Sequence, residues 1–164
     1  ERNGEEIGFV ISVMSGEQDR IDIAQAAAQQ LQEIGINCTV DIPAQMDWGG
    51  QMACLIGWGS PFDADDHTYK VFGTDKGANY SGYSNEKVDE YLTLARQYED
   101  QETRAKYYDL FQEELAKDPA YAFICYIDAN YVADSDIKGI SEKTVLGHHG
   151  VGIFWNIQEW EIVK

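Results

Sequence analysis

The sequence predicts a mixed α/β fold, a largely parallel sheet with flanking helices. Three observations carry that reading. Residues Ile7–Met14 alternate Ile7, Phe9, Ile11 and Val13 with weaker partners, as a strand does. Next, Ile21, Ala24, Ala28, Leu31 and Ile34 recur at helical spacing, with Asp19 placed to cap the start and Gly35 placed for a left-handed end. Ile36–Ile42 then alternates again, with Ile36, Cys38, Val40 and Ile42 on one face. Together these form a β-α-β unit of about 36 residues, for which parallel strands and a right-handed crossover are expected.

After a connection from Pro43 to Gly50, the apolar run Met52–Gly57 reads as a strand buried on both faces. Trp58–Asp66 is a polar loop containing Gly and Pro, and His67–Phe72 reads as a short helix. Gly73–Ser84 is a loop. Ser84 or Asn85 then caps a helix whose inner face is Val88, Leu92 and Ala95. Asp100 starts another, carrying Ala105, Tyr108, Phe111 and Leu115, stopped by Asp118-Pro119. Ala122–Val132 reads as a strand apolar on both faces, and Val151–Trp155 as a last extended stretch. No internal repeat or low-complexity linker interrupts the chain, so residues 1–164 are expected to form a single domain.

Composition narrows the function. With 164 residues, 44% hydrophobic and 25% charged, the chain is ordinary for a globular domain. Its charge is not: 29 Asp and Glu against 12 Lys and Arg leave a net −17. Such a surface repels phosphate backbones and anionic lipid, which excludes nucleic acid and peripheral membrane binding as expected roles. No apolar run reaches the roughly 18 residues that a membrane span needs. The chain opens on a polar stretch without Met, so it reads as an excised piece with any targeting signal upstream. Cys38, Cys54 and Cys125 lie in apolar strand-like runs without Cys-x-x-Cys spacing, and are expected to be buried free thiols.

Enzyme motifs are not apparent. There is no Gly-x-Ser-x-Gly elbow, phosphate-binding glycine loop or His-Glu-x-x-His pair. Asp63, Asp65, Asp66 and His67 alternate as calcium ligands can, yet Thr68 and Thr74 stand where an EF-hand needs Gly and Glu. The cluster reads instead as the acidic start of the following helix, with Asp63 or Asp65 left open as ligand contacts. His148-His149, between glycines, reads as an exposed loop. Neither a metal site nor a cofactor is expected.

The most specific stretch is Leu55-Ile56-Gly57-Trp58-Gly59-Ser60-Pro61-Phe62-Asp63. An apolar strand ends there in a turn that presents two aromatics, the place where open α/β sheets bind ligands. By themselves these residues leave two readings open. Trp58 and Phe62 either wall a cleft or plug the edge of a core.

That stretch sits in an ordered series: Gly35-Ile36-Asn37 before it, then Asn79-Tyr80-Ser81-Gly82-Tyr83-Ser84-Asn85, Val88-Asp89 and the helix around Ala105–Leu115. The series resembles the C-terminal lobe of the family 5 solute-binding proteins, the oligopeptide, dipeptide and nickel binders of ABC importers. The resemblance covers nearly the whole chain and roughly the last third of a typical member. It implies one lobe of a periplasmic-binding-protein-like fold and a non-catalytic receptor for a short peptide or metal chelate. Its implied partners are the missing N-terminal lobe and the permease subunits. Its implied location is extracytoplasmic, either lipid-anchored at the outer face or periplasmic.

Residue by residue, the resemblance points to the turn. Peptide binders carry an aspartate three positions after the tryptophan, where this chain has Pro61. The run is closer to the Trp-Gly-Ala-Pro-Tyr-Asp of nickel-complex binders, which makes Trp58 and Phe62 pocket walls. Gly59 lies on the same turn, and Asp63 or Asp65 would orient a cationic or hydrogen-bonding group. No histidine stands near Lys76, where nickel binders place one. Tyr80, within an Asn-x-Ser sequon, reads as packing. Two other classes are kept as rivals: an acidic hydrolase, and an interaction module with an exposed aromatic patch.

Overall fold

A computed structural model describes residues 4, 6–59, 63–128, 130–141 and 152–163. The chain is mixed α/β and divides into two compact units, Glu1–Gly57 and Trp58–Lys164.

In the first unit, β1 (Gly8–Ser12), α1 (Gln18–Glu33) and β2 (Asn37–Asp41) form the expected β-α-β unit. β1 and β2 are parallel, running from Gly8 opposite Asn37 to Ser12 opposite Asp41. β3 (Ala53–Cys54) joins the other side of β1, also parallel, giving the order β2-β1-β3. Ile21, Ala24 and Ala28 are the buried stripe of α1, as their spacing predicts, while Ile34 is exposed. Ile21 and Ala24 pack with Val13 against Ile11, Val40 and Leu55. Gly35 ends the helix at φ 83°, a conformation that costs glycine nothing sterically.

Details of the unit depart from expectation. α1 begins after Glu17 without a side-chain cap, so Asp19 lies inside the first turn instead of capping it. β3 is two residues long and Ala53–Gly57 is half-buried, where a strand buried on both faces was expected. β3 meets only the Ile11–Ser12 end of β1, so the ladder is as short as that overlap.

The second unit holds α2 (Asp65–Phe72), α3 (Glu86–Ala95) and α4 (Gln101–Lys117). Asn85 caps α3 by accepting from the N–H of Lys87 and Val88. Asp100 caps α4 by accepting from the Thr103 N–H at 2.8 Å. The expected stripes are the core: Val88 and Leu92 from α3 meet Phe111 and Leu115 from α4, with Tyr83 beneath. Ala95 is also buried, whereas Ala105 is exposed. Fully burying a side chain of that size stabilises by roughly 1.5–3 kcal/mol. Phe72 packs a tilted ring on Phe111, 5.3 Å between centroids, and so ties α2 to it.

The tail differs from expectation in three places. No strand forms across the described residues of 122–132; the paired strands of this unit are β4 (Ile137–Lys138) and β5 (Glu161–Ile162), an antiparallel ribbon. A run apolar on both faces needs neighbours on both sides, and a two-residue ribbon offers no ladder of that length. Residues 152–155 are 3₁₀-helical instead of extended, the first part of a segment, Gly152–Glu159, that kinks at Asn156 (φ −118°). Buried Asn156 organises this end: its Nδ2 donates to the Gly139 carbonyl, and its Oδ1 accepts from Trp160 Nε1. That network holds the turn in place where period-two reading foresaw a strand. Among the cysteines, Cys38 is buried, Cys54 half-buried and Cys125 exposed, and all three are free thiols. Cys125 departs from the buried expectation because its run is not packed. Of the described helices, none is long and apolar enough to cross a membrane.

Candidate functional site

Trp58 is the first residue of the second unit and follows directly on the apolar run that contains β3. Its indole stacks on Tyr80 at 6.1 Å between centroids and 12° between planes. His67, from the first turn of α2, lies 5.4 Å away and tilted by 48°. Trp58 and Tyr80 stay 37% and 36% exposed, so the pair presents an aromatic surface to solvent while its inner side is packed. Trp58 is thus packed on one side and open to solvent on the other. His67 contributes a further polar atom: its Nδ1 is buried with no hydrogen-bond partner, and its Nε2 lies 3.6 Å from Asp66.

Tyr80 is held there by its neighbour. Asn79 Nδ2 donates to the carbonyls of Gly73 (2.9 Å) and Tyr83 (2.7 Å). Asn79 Oδ1 accepts from the Tyr83 N–H and the Ser81 hydroxyl. The sequon asparagine is thus a structural bracket for the 73–83 loop. Spacing did not single out Tyr80 or His67 as neighbours of Trp58, because they come from separate elements and meet only through the fold.

The carboxylates of the turn are engaged. Asp63 receives Arg104 in a two-pronged pair, Nη1 to Oδ2 at 3.0 Å and Nη2 to Oδ1 at 2.6 Å. Its Oδ1 also accepts from the Asp65 N–H at 2.8 Å, which starts α2. Those bonds to Arg104 hold the Asp63 carboxyl below the usual carboxylate range and push the Arg104 guanidinium up. A carboxylate has about four acceptor positions, so three contacts leave Asp63 little free capacity. Asp65 Oδ2 meets Arg96 Nε at 3.2 Å, and Arg96 lies 4.0 Å over the Tyr69 ring. Asp65 Oδ1, by contrast, is buried without a hydrogen-bond partner.

Asp63, Asp65, Arg96, Tyr98, Glu99 and Arg104 line a shallow depression of about 460 Å³. Asp65 and Asp66 occupy the first turn of α2, and Lys70 pairs with Asp66 at 3.2 Å. This is the acidic helix start expected from sequence. Among the described residues no three His, Cys, Asp or Glu side chains gather as a metal site would require. Gly59 is half-buried beside Trp58. Phe62 and the His148-His149 pair lie outside the described residues. The two arginine partners were missed from sequence: Arg104 is 41 residues from Asp63, and no local pattern links them.

No family model matches the chain. A solved structure does: NikZ from Campylobacter jejuni, in complex with Ni(L-His), is similar over 98% of this chain, with 36% identity and a TM-score of 0.80. The chain belongs with the family 5 solute-binding proteins. Two curated relatives are also similar. The oligopeptide-binding protein AppA of Bacillus subtilis is 25% identical over 178 residues, all of this chain. Protein XP55 of Streptomyces lividans is 31% identical over 149 residues, 87% of this chain. The chain spans about a third of the length of these proteins: 34% of NikZ, 31% of AppA and 28% of XP55.

Proposed function

We propose that the chain is the C-terminal lobe of a two-lobed extracytoplasmic receptor, which captures a short peptide or a metal chelate for an ABC importer without catalysing a reaction. The likeness to NikZ along 98% of the chain is the observation that carries this reading. The exposed aromatic surface of Trp58 and Tyr80 fits it, since such faces cover the apolar parts of a ligand. Trp58, Gly59 and Phe62 are the proposed wall, and Asp65, through its unpartnered Oδ1, the proposed hydrogen-bond acceptor. Asp63 takes a different part: its arginine pair anchors the Trp58 turn to α4, and it reaches a ligand only by releasing Arg104.

The hydrolase alternative finds less support. Asp63 is held ionised by Arg104, so it has no proton to donate near neutral pH, as a general acid must. The full receptor is placed outside the cytoplasm, lipid-anchored or periplasmic, with permease subunits as partners; its closure brings a second lobe over the Trp58 surface.

Calorimetry on the two-lobed protein tests this, titrating di- to nonapeptides and Ni–histidine chelate in parallel. Micromolar or tighter binding of either class is expected. Turnover of a titrant, without saturable binding, would overturn the receptor reading.

A further inference from the structure

His67 carries a polar atom that nothing in the Trp58 cluster uses. Its imidazole lies 5.4 Å from the Trp58 indole, tilted by 48°, and its Nδ1 is buried without a hydrogen-bond partner. A phenyl ring would pack an indole as an imidazole does and leave no polar atom bare. Bare buried polar atoms cost stability, and proteins keep them chiefly where a function uses them. The first turn of α2 holds a second such atom, Asp65 Oδ1, also an acceptor without a donor. The neighbour of His67 decides which of its nitrogens accepts. Asp66 Oδ2 lies 3.6 Å from His67 Nε2, and Lys70 Nζ holds Asp66 Oδ1 at 3.2 Å, which leaves Oδ2 to the imidazole. A carboxylate beside Nε2 favours the proton there, so Nδ1 of the neutral ring is the lone-pair acceptor.

We propose that His67 is a ligand-binding residue of the Trp58 site, its Nδ1 accepting a hydrogen bond from an N–H group of the solute. The inference rests on the receptor reading above and narrows the solute's chemistry. A flat or apolar part lies on the Trp58 face, and an N–H donor stands beside it. The ammonium and amide groups of a peptide offer such a donor, and so do the amino and imidazole groups of a histidine chelate. Nδ1 is closed to solvent in the free chain, so capture includes a turn of the half-exposed Trp58 side chain that opens it. His67 thereby gains in the complex the hydrogen bond that it lacks in the free protein.

Calorimetry on the two-lobed protein tests the inference through a cycle that removes each partner of the bond in turn. The titrants are di- to nonapeptides and the Ni–histidine chelate, each also N-methylated at successive nitrogens. His67→Phe keeps a ring against Trp58 and removes the acceptor. Expected is roughly tenfold weaker binding in His67→Phe, the worth of one hydrogen bond, with a Tm no lower than the parent's. Methylation of one nitrogen should cost the parent as much and cost His67→Phe nothing further. His67→Asn, which restores an acceptor oxygen without the ring, should keep that selective cost, and it decides the matter if the Phe variant does not fold. Binding by His67→Phe as tight as the parent's, or methylation costs alike in both, would overturn this inference alone. A nickel absorption band that shifts between parent and His67→Phe would overturn it in favour of direct metal ligation. No binding of any titrant by the parent would overturn the receptor reading and this inference with it.

Discussion

Asn79 shows how much one side chain can fix near the proposed site. It satisfies two carbonyls, an N–H and a hydroxyl, and so sets the position from which Tyr80 stacks on Trp58. Asn79→Ala would take this donor from the part-buried Tyr83 carbonyl, while the Gly73 carbonyl keeps the Lys76 N–H, at about 1–3 kcal/mol. Urea unfolding should show that loss, together with a shift in tryptophan emission as the stack loosens. Asp63 makes a different prediction. Its folded pKa lies below the ordinary value near ~3.9. The pair's stabilisation is therefore fully present above that value and is lost as pH falls through the lower, folded pKa. Asp63 is half exposed, so the effect is small, about 0.5 kcal/mol after solvent screening, and weaker in high salt. Arg104→Met should remove it. Unfolding midpoints measured from pH 6 down to 2.5 should fall less steeply in that variant than in the parent.

At the scale of elements, the sequence was most readable where local chemistry and periodicity agree. α3 and α4 begin at the expected caps, Asn85 and Asp100, and bury the expected stripes, because capping and a 3.6-residue period are local properties. Asn85→Ala should destabilise the second unit by about 1 kcal/mol, since two helix N–H groups lose their acceptor. Leu92→Ala, in the middle of the buried stripe, should cost about 2–5 kcal/mol. Chemical denaturation followed by circular dichroism would rank the two. Strands were less readable, because a strand exists only through its neighbours. Ala122–Val132 has the composition of a buried strand but no ladder among the described residues of its unit. Gly152–Glu159 became a 3₁₀ helix because buried Asn156 ties it to Gly139 and Trp160, and no periodicity announces those contacts.

For the whole molecule, the family was legible because an order of short motifs survives where each motif alone is weak. The site was only half legible. Trp58 stood out as an aromatic at the end of an apolar run, while the carboxylates beside it read as the acidic start of the following helix, with Asp63 or Asp65 open as ligand contacts. In the fold they are partners of Arg96 and Arg104, whose positions only tertiary structure brings close. On the proposed reading the chain is one lobe and holds half of a cleft, so the 164 residues by themselves should show no submicromolar affinity for peptides in calorimetry. The most direct test of the central claim is the affinity of the two-lobed protein, measured by calorimetry with and without Trp58→Ala, for whichever peptide or nickel chelate binds. The account predicts at least a tenfold weakening with the melting temperature of the protein preserved. An unchanged affinity would contradict it.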